Sequence, residues 1–579
     1  MTKQKMVPSE ALVETLVAEG IKTVFGIVGS AFMDALDLFP DAGIRFVSVA
    51  HEQAACHAAD GLARVTGRPQ CCIVQNGPGA ANLVSAMTAA YWAHSPVVAI
   101  TPETGSMGMG TGGFQEIDQM PMFQAQTVYQ VRVNRAERMA ELARRAFYMA
   151  KVEHGPTQLN IPRDHFYGVC EDEIYPTLDV TPGAGPRRAL EEAADLLAAA
   201  KYPVILAGGG VSQGDAVAET KALADHLTAP VVNSYLHNDT FPANDPLAVG
   251  PIGYCGSQAA MHTLAKADVV LALGSRLGPF GTLPQYDIDY WPAQAKLIQV
   301  DVNPRVLGLS RRVDVASAAD AKEFATELLS LVKAKDPEPR PNLSRLGEIE
   351  TARATWNAEL ASWSADAREL MHPRRFLEEL AKAMPPDAIV ATDIGNNCSM
   401  ANSYLKFGGP RQHISALSWG NCGFAMGAAM GAKMGAPDQP VFCYQGDGAW
   451  GIGGLAEVMT VAREKIPVIA IVANNHEWGA EKKNQIDYYE NRFVGTNLHE
   501  NPSFAKIAED MGAKGYRVTE ADQVGDVVRE AMASGEPCVI EGVIEGGEQV
   551  LAEPFRRDAL KPAFRRLEKY SHLNVEKRK

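Results

Sequence analysis

Short, almost continuously apolar segments alternate with helical patterns along the whole of this 579-residue chain. Twelve of these segments predict strands, in three groups of four: 23–28, 46–50, 71–75 and 97–101; 203–207, 231–234, 269–273 and 297–300; 388–392, 441–445, 468–473 and 538–543. Strands that are apolar on both faces and separated by helices form parallel sheets covered on both sides. We therefore predict an α/β fold with three doubly wound parallel-sheet domains.

Two segments rich in proline, glycine and charge separate the three groups of strands. They span 171–188 and 333–342 and lack hydrophobic periodicity. A chain of this length exceeds what one hydrophobic core organises. We expect an N-terminal domain over 1–180, a central domain over 188–335, a C-terminal domain over 365–550 and a basic tail over 551–579.

Charge, hydropathy and cysteine usage narrow the class of protein. A net charge of −15 argues against nucleic acid as a partner, because phosphate backbones bind basic surfaces. No apolar stretch reaches the roughly 18 residues that a membrane span needs. The nine cysteines show no CxxC or framework spacing, and the N-terminus lacks the features of a signal peptide. We expect a cytoplasmic protein with reduced thiols.

Polar clusters follow two neighbouring predicted strands of the third group. Gly446, Asp447 and Gly448 end the strand 441–445, and Asn474 ends the strand 468–473. The carboxyl ends of parallel strands are where open α/β sheets bind ligands. Carboxylate and amide oxygens suit Mg²⁺, which completes its shell with phosphate oxygens and water. Either cluster alone is more often an ordinary turn or loop, but the two together favour a metal and diphosphate site.

A carboxylate also follows a predicted strand of the first group. Glu52 lies just beyond the strand 46–50. Buried carboxylates are costly unless they serve a purpose. Taken alone, however, Glu52 is better explained as the first residue of a helix, where a negative charge interacts favourably with the helix dipole.

The span from Gly446 to Asn475, GDGAWGIGGLAEVMTVAREKIPVIAIVANN, resembles the cofactor motif of the thiamine-diphosphate enzymes, the superfamily of acetolactate synthase and pyruvate decarboxylase. The resemblance implies thiamine diphosphate and Mg²⁺ as cofactors, with pyrimidine-binding, central and diphosphate-binding domains in chain order. It also implies that the metal is bound by the side chains of Asp447 and Asn474 and by the backbone carbonyl of His476. The other positions that it assigns to the cofactor are Gly446, Gly448, Ala449, Asn396, Asn397, Gly420 and Cys422.

The same resemblance extends to the segment VAHEQAA around Glu52 and to WGNCGF around Gly420. It implies that Glu52 bonds the aminopyrimidine ring of the cofactor and so promotes loss of the thiazolium proton. The Gly420 carbonyl would face the exocyclic amine, and Cys422 would lie beneath the bent cofactor. In the superfamily the glutamate and the metal site come from different subunits, which implies a homodimer at minimum and a homotetramer as the expected assembly.

Several longer strings point to one branch of the superfamily. Acetolactate synthases carry a proline within the region that here reads GIVGS, and a Gly-Met-Val stretch where residues 479–485 read GAEKKNQ. The strings GSAFMDALDLFP, GGFQEIDQM, GSRLGPFGTLPQYDIDYWP and WGAEKKNQ are similar to the sulfoacetaldehyde acetyltransferases. That resemblance implies the conversion of sulfoacetaldehyde and phosphate to acetyl phosphate and sulfite.

The implied substrates are two anions, and five side chains are candidates to bind them: Gln115, His94, Arg276, Lys482 and Lys483. Charge-assisted bonds from lysine or arginine would suit both a sulfonate and a phosphate. Each candidate also has an ordinary structural explanation. The two lysines would form a solvated helix face, Arg276 would pair with a nearby acid, and His94 would be a satisfied core histidine.

The sequence allows alternatives for the enzyme, the central domain and the tail. An acetolactate synthase or 2-oxo-acid decarboxylase is the alternative enzyme, and a non-catalytic homologue that binds the cofactor is a more distant one.

The glycine-rich segment 208–214 looks like a nucleotide loop with the wrong spacing, so we expect no nucleotide in the central domain, with a vestigial nucleotide site as the alternative. The basic tail could cap the active site, although a solvated helix is the simpler expectation.

Overall fold

The computed structural model describes residues 3–180, 183–365, 370–498, 502–546 and 562–574. It contains three parallel sheets of six strands, one in each third of the chain, which confirms the predicted fold class. All twelve predicted strands are present, and no end differs from its predicted position by more than two residues. Within the described ranges, no helix has the length and apolar character needed to cross a membrane.

The first sheet has the strand order β3-β2-β4-β5-β7-β6, and a short antiparallel pair, β1 and β8, lies beside it. The strands of the sheet are β2 (Thr23–Gly26), β3 (Arg45–Ser48), β4 (Gln70–Ile73), β5 (Val97–Glu103), β6 (Tyr129–Arg132) and β7 (Thr157–Pro162), and the separate pair consists of β1 (Gln4–Met6) and β8 (Cys170–Asp172). Its α-helices are α1 (Pro8–Ala18), α2 (Met33–Leu38), α3 (Glu52–Thr66), α4 (Pro78–Asn82), α5 (Val84–Trp92), α6 (Met120–Phe123) and α7 (Met139–Val152).

The central sheet has the order β11-β10-β9-β12-β13-β14. Its strands are β9 (Pro203–Ala207), β10 (Val231–Asn233), β11 (Ala248–Pro251), β12 (Val269–Leu273), β13 (Lys296–Asp301) and β14 (Val315–Ala318). Its α-helices are α8 (Arg187–Ala199), α9 (Gly209–Gln213), α10 (Val217–Leu227), α11 (Gln258–Ala265) and α12 (Ala321–Lys335), and α13 (Leu343–Ser364) leads to the third sheet.

The third sheet has the order β16-β15-β17-β18-β20-β19. Its strands are β15 (Ile389–Thr392), β16 (His413–Ser415), β17 (Val441–Gly446), β18 (Ile469–Asn474), β19 (Lys514–Val518) and β20 (Cys538–Val543). Its α-helices are α14 (Pro373–Ala383), α15 (Asn396–Tyr404), α16 (Ala425–Gly435), α17 (Asp447–Ala449), α18 (Glu457–Glu464), α19 (Gly479–Tyr488), α20 (Phe504–Asp510) and α21 (Val524–Ser534).

Helices α3 and α16 pack the first sheet layer against the third, and glycines allow their close approach. A Cβ atom at Gly431 would lie 1.8 Å from the carbonyl oxygen of Ala58, and one at Gly61 would lie 2.0 Å from that of Ala428. Larger residues at either position would force the two backbones apart. This contact fixes the start of α3, where Glu52 lies, relative to the third sheet.

Six strands of the large sheets escaped prediction: β6, β7, β11, β14, β16 and β19. Most are short, and all but β7 are edge strands. Strand β7 is buried but carries polar side chains, and Asn160 on it accepts a hydrogen bond from Thr101 at 2.9 Å. Because a hydrogen-bonded polar side chain can be buried without penalty, apolar character alone does not identify such a strand. Of the predicted basic tail, residues 551–561 and 575–579 lie outside the described ranges.

Candidate active site

The two polar clusters of the third sheet meet at one edge, as the strand pattern predicts. Gly446 pairs with Ala473 in the parallel ladder of β17 and β18, so Asp447 and Asn474 follow neighbouring strands at the same level. Both side chains are buried, with 3% and 1% of their surface exposed. When its amide is oriented to satisfy both atoms, Asn475 donates to Asp447 Oδ1 at 3.1 Å.

A second buried carboxylate orients the amide of Asn474. Asn474 donates from Nδ2 to Glu541 Oε1 at 3.0 Å, which turns its amide oxygen away from Glu541. Glu541 Oε2 accepts hydrogen bonds from the Ser503 hydroxyl and the Ala505 backbone N–H. The oxygen of Asn474 and the carboxylate of Asp447 are hard donors that fit Mg²⁺. If a metal binds here, Glu541 would be an outer-sphere residue that sets which atom of Asn474 faces it.

His476 lies in the left-handed backbone region, with a φ of 58°. Its carbonyl accepts a hydrogen bond from the N–H of Leu498 at 2.7 Å, which leaves its second lone pair for a metal. In the described ranges no three His, Cys, Asp or Glu side chains cluster in a way that could hold a metal. A metal at this edge would thus depend on one carboxylate, amide and backbone oxygens, and oxygens from a ligand such as a diphosphate.

Beside this edge is a cavity of about 260 Å³ between the central and third sheets, lined in part by Gly395, Asn396, Ser399, Gly420, Ala480 and Lys483. Asn396 begins α15 and is buried. Among the described residues, its side-chain nitrogen has no hydrogen-bond partner. An unpartnered buried donor is costly, so this atom suits a ligand oxygen. Asn397 lies beside the turn at Gly446, because its Nδ2 atom is 3.8 Å from the position that a Cβ atom on Gly446 would occupy.

The loop that contains Gly420 and Cys422 is fixed by Asp393 at the end of β15. Asp393 Oδ1 accepts the N–H of Gly423 at 3.1 Å, and Oδ2 accepts the N–H of Ala425 at 2.9 Å. Burial raises the pKa of Asp393 to about 6. Burial also raises the pKa of the Cys422 thiol to about 11, with Asp393 contributing. Cys422 is therefore a neutral thiol near pH 7.

Glu52 and Gln115 both lie beside the segment 75–79, which follows β4 at the carboxyl edge of the first sheet. Glu52 is the first residue of α3 and accepts a hydrogen bond from Asn82 at 2.9 Å. Its Oε1 atom lies 3.2 Å from a Cβ built on Gly79. Gln115 accepts a hydrogen bond from Gln75, which belongs to the same turn after β4. The structure thus brings together two predicted site residues that are far apart in sequence.

The two lysines of α19 have different environments, although they are adjacent in sequence. Lys483 lines the cavity and pairs with Asp487 at 3.0 Å. Lys482 instead pairs with Glu477, and its ammonium group lies 4.9 Å from the centre of the Phe493 ring. Neither lysine belongs to a solvated face, because their side chains are only 15% and 12% exposed.

Arg276 and His94 line a different cavity, of about 150 Å³, at the carboxyl edge of the central sheet. Arg276 lies over the Trp92 ring and donates to Ser418 Oγ at 3.2 Å. Burial lowers the pKa of His94 to about 4, and Arg276 contributes to the shift. His94 is therefore neutral near pH 7 and could meet an anion only as an N–H donor. Ser418 lines both cavities and separates Arg276 from Lys483.

Aromatic residues that were not predicted from the sequence line one side of the cavity that contains Lys483. Tyr235, Tyr254 and Phe280, from loops of the central domain, face α19, and the Phe280 ring centroid lies 5.4 Å from that of Tyr235 and 5.8 Å from that of Tyr254. Aromatic residues in loops carry no pattern that indicates a site. Two other missed residues had a signal, since Asp393 ends an apolar strand and Glu541 interrupts one.

Comparison with protein families matches this chain to three domains of thiamine pyrophosphate enzymes. The N-terminal TPP binding domain matches residues 6–122, the central domain matches 190–328, and the C-terminal TPP binding domain matches 393–542. Each match contains strands of one of the three sheets. The two TPP binding domains contain Glu52 and Asp447, respectively.

Curated relatives cover almost the whole chain. A sulfoacetaldehyde acetyltransferase from Castellaniella defragrans is 51% identical, over 98% of this chain and 97% of its own length. Another from Rhodobacter capsulatus is 41% identical, over 96% and 97%. A probable acetolactate synthase large subunit from Methanocaldococcus jannaschii is 32% identical, over 94% and 93%.

Proposed function

This chain belongs to the thiamine pyrophosphate enzymes, and we propose that it is a sulfoacetaldehyde acetyltransferase, which converts sulfoacetaldehyde and phosphate to acetyl phosphate and sulfite. Identity of 51% over nearly all of both chains supports this activity. The acetolactate synthase alternative is weaker, because the relatives of that name are 32% identical. The structural observation that carries the proposal is the cavity in which Lys483 joins Asn396 and Gly420.

The third sheet carries donors that fit the diphosphate end of the cofactor and its metal. Asp447, the Asn474 amide oxygen and the His476 carbonyl would bind Mg²⁺, and the unpartnered side-chain nitrogen of Asn396 would meet a phosphate oxygen. The turn around Asp447 consists of the small residues Gly446, Gly448 and Ala449. When bound, thiamine diphosphate supplies the carbon nucleophile and the electron sink that the carbon–sulfur cleavage requires.

The protein's own residues hold and move the remaining charges. Glu52 would hold a proton against the cofactor ring, in a role that contributes a typical factor of about 10² to 10⁴ to the rate. The neutral Cys422 thiol would fill space beneath the cofactor without adding charge. The fixed 420–425 loop would present the Gly420 carbonyl as an acceptor. Because Asp393 holds two N–H groups of this loop, the acceptor is preorganised.

Lys483 is the side chain that we assign to the sulfonate of the substrate. An ammonium group has three N–H donors, and the bond to Asp487 occupies one of them. Charge-assisted bonds would hold the sulfonate in this cavity, which aromatic side chains line on one side and from which the substrate would displace water. Loss of sulfite leaves this position open for phosphate, which carries oxygens of similar geometry. Lys482 is not assigned to either anion, because it is paired with Glu477 outside the cavity.

We also propose that the active protein is a homodimer at minimum, assembled further into a homotetramer, and located in the cytoplasm. Exposed apolar side chains that follow β2 and β5 of the first sheet support an interface on this domain, among them Val28, Met33 and Phe114. The nine cysteines, all within the described ranges, form no disulfide bond, which suits a reducing compartment.

The assay that tests the proposal measures sulfite and acetyl phosphate together. Purified protein with thiamine diphosphate, Mg²⁺ and phosphate should release both in equal amounts from sulfoacetaldehyde. Omitting phosphate should abolish acetyl phosphate. If pyruvate is consumed instead and no sulfite appears, the protein is an acetolactate synthase or decarboxylase and the proposal is wrong.

A further inference from the structure

Glu457 is a fully buried carboxylate with no role in the chemistry proposed for this protein. It begins α18, only 1% of its surface is exposed, and burial raises its pKa above the ordinary value. A buried carboxylate is tolerated only when several donors satisfy it. Glu457 accepts one hydrogen bond from the Thr460 hydroxyl at 2.7 Å. Its other partners belong to a different sheet layer.

Those partners are the backbone N–H groups that immediately precede Glu52. The N–H of Ala50 lies 3.2 Å from each oxygen of Glu457, and the N–H of His51 lies 3.0 Å from Oε1. The two residues form the turn between β3 and α3, so their dihedral angles set the direction in which Glu52 leaves the sheet. Glu457, from the domain of the third sheet, therefore holds the turn that precedes Glu52.

The rest of α18 is attached to the same segment by other contacts. Arg45 donates to the carbonyl of Glu464 at 2.6 Å and pairs with its carboxylate at 3.1 Å. Arg463 donates to the carbonyl of Ser48. These contacts involve partly exposed side chains at the far end of the helix. They offer a natural control, because they hold β3 without contacting the two residues before Glu52.

We propose that Glu457 is a positioning residue for Glu52, through which the domain that carries Asp447 fixes the activating glutamate of the same chain. This inference rests on the role proposed above for Glu52. Its physical basis is that a carboxylate bonded to two consecutive N–H groups restricts the turn far more than water would. A displacement of about 1 Å at a catalytic group can cost about 100-fold in rate.

The test compares Glu457→Gln with the control Glu464→Gln by two measurements that do not depend on turnover. The first is hydrogen–deuterium exchange of the backbone amides in residues 45–55 of the cofactor-free protein. The second is the rate at which the thiazolium C2 proton of the bound cofactor exchanges into deuterium oxide. We expect Glu457→Gln to speed amide exchange in residues 45–55 and to slow exchange of the C2 proton by about 10-fold to 100-fold. Glu464→Gln should change the C2 rate by less than about 3-fold.

A double-mutant comparison separates this inference from the proposed function. In a Glu52→Gln background, adding Glu457→Gln should not slow C2 exchange further, because the residue acts through Glu52. A further loss of the same size in that background would overturn the positioning role. If Glu52→Gln itself left C2 exchange unchanged, the assigned role of Glu52 would fail first. Should Glu457→Gln not fold, Thr460→Val removes one bond to the same carboxylate, and an unchanged C2 rate in that variant would also count against the proposal.

Discussion

The side-chain nitrogen of Asn474 donates to Glu541 at 3.0 Å, and this bond decides which atom of Asn474 is available to a metal. An amide can present either its oxygen or its nitrogen, and only the oxygen is a ligand for Mg²⁺. Glu541 lies on β20, the strand next to β18, and is itself held by two donors. The packing of the sheet therefore determines which atom of Asn474 a metal could meet.

Replacing Glu541 should weaken metal binding although Glu541 is not a ligand. In Glu541→Gln, the NH2 group of the new side-chain amide can meet the Asn474 nitrogen, so the Asn474 amide is expected to rotate. Loss of an outer-sphere partner typically costs about 10-fold to 100-fold in metal affinity. Titration of cofactor binding against Mg²⁺ should show this shift. Ser503→Ala, which removes another partner of Glu541, is the control and should shift the titration much less.

Glu52→Gln should separate cofactor binding from turnover. The substitution keeps the shape of the side chain and a bond with Asn82, so the fold and the cofactor affinity should change little. Sulfite release should fall by about 10² to 10⁴. Turnover is measured by sulfite release, and retention of the cofactor is measured by its fluorescence or absorbance after gel filtration. A variant that keeps more than half of the wild-type rate would disprove the assigned role.

The adjacent lysines provide a matched pair for the sulfonate site. Lys483→Met should raise the KM for sulfoacetaldehyde by about 10-fold to 100-fold, because one charge-assisted bond is lost. Lys482→Met should leave the KM nearly unchanged, and it should lower the free energy of unfolding by about 3 kcal/mol, since it breaks a largely buried pair with Glu477. Steady-state kinetics and denaturant unfolding of both variants check the assignment. The opposite pattern would place the sulfonate at Lys482.

Much of the fold could be predicted because it follows from one local rule. Apolar strands separated by helices lead to parallel sheets, and all twelve strands recognised in this way are present. The rule fails for edge strands such as β6 and β19, which are half-exposed and therefore not continuously apolar. The rule also cannot predict how the three sheets pack together, because the contact between α3 and α16 depends on individual glycines that let the two backbones approach closely.

The site could be predicted only in part, for a related reason. Asp447 and Asn474 are adjacent because they end neighbouring strands, which is a relation that the sequence encodes. The separation of Lys482 from Lys483 depends on the rotation of α19, and the distance of Arg276 from the lysines depends on how the central sheet packs. Such relations between distant segments are set by tertiary packing, which no local pattern contains.

Asp393 should make the stability of the protein depend on pH in a defined direction. Burial raises its pKa to about 6, so the folded protein holds this proton more tightly than the unfolded chain does. The contribution is therefore greatest below the ordinary aspartate pKa of about 3.9 and is lost as the pH rises through 6. The loss amounts to about 3 kcal/mol at most. Asp393→Asn should remove this component.

The comparison needs unfolding free energies of wild type and Asp393→Asn at several pH values between 4.5 and 7.5. A constant offset between the two curves is expected from the altered hydrogen bonds to Gly423 and Ala425. The difference that matters is the change in this offset with pH. An offset that stays level across the range would mean that Asp393 titrates normally.

Subunit mixing should reveal whether each active site is shared between two chains. Glu52→Gln and Asp447→Ala are each expected to be nearly inactive alone. If the two residues of one site come from different chains, a mixed dimer contains one doubly damaged site and one intact site. Random exchange of equal amounts should then restore roughly a quarter of the wild-type sites, because about half of the dimers are mixed and each has one good site of two.

Sites built within one chain predict the opposite result. Every site would then keep one defect, and mixing would restore no activity. The measurement is sulfite release after the two variants are dissociated and reassembled together, with each variant reassembled alone as the control. Recovery of activity would also require that Glu52 and Asp447 act on the same cofactor, which links the assigned role of each residue to that of the other.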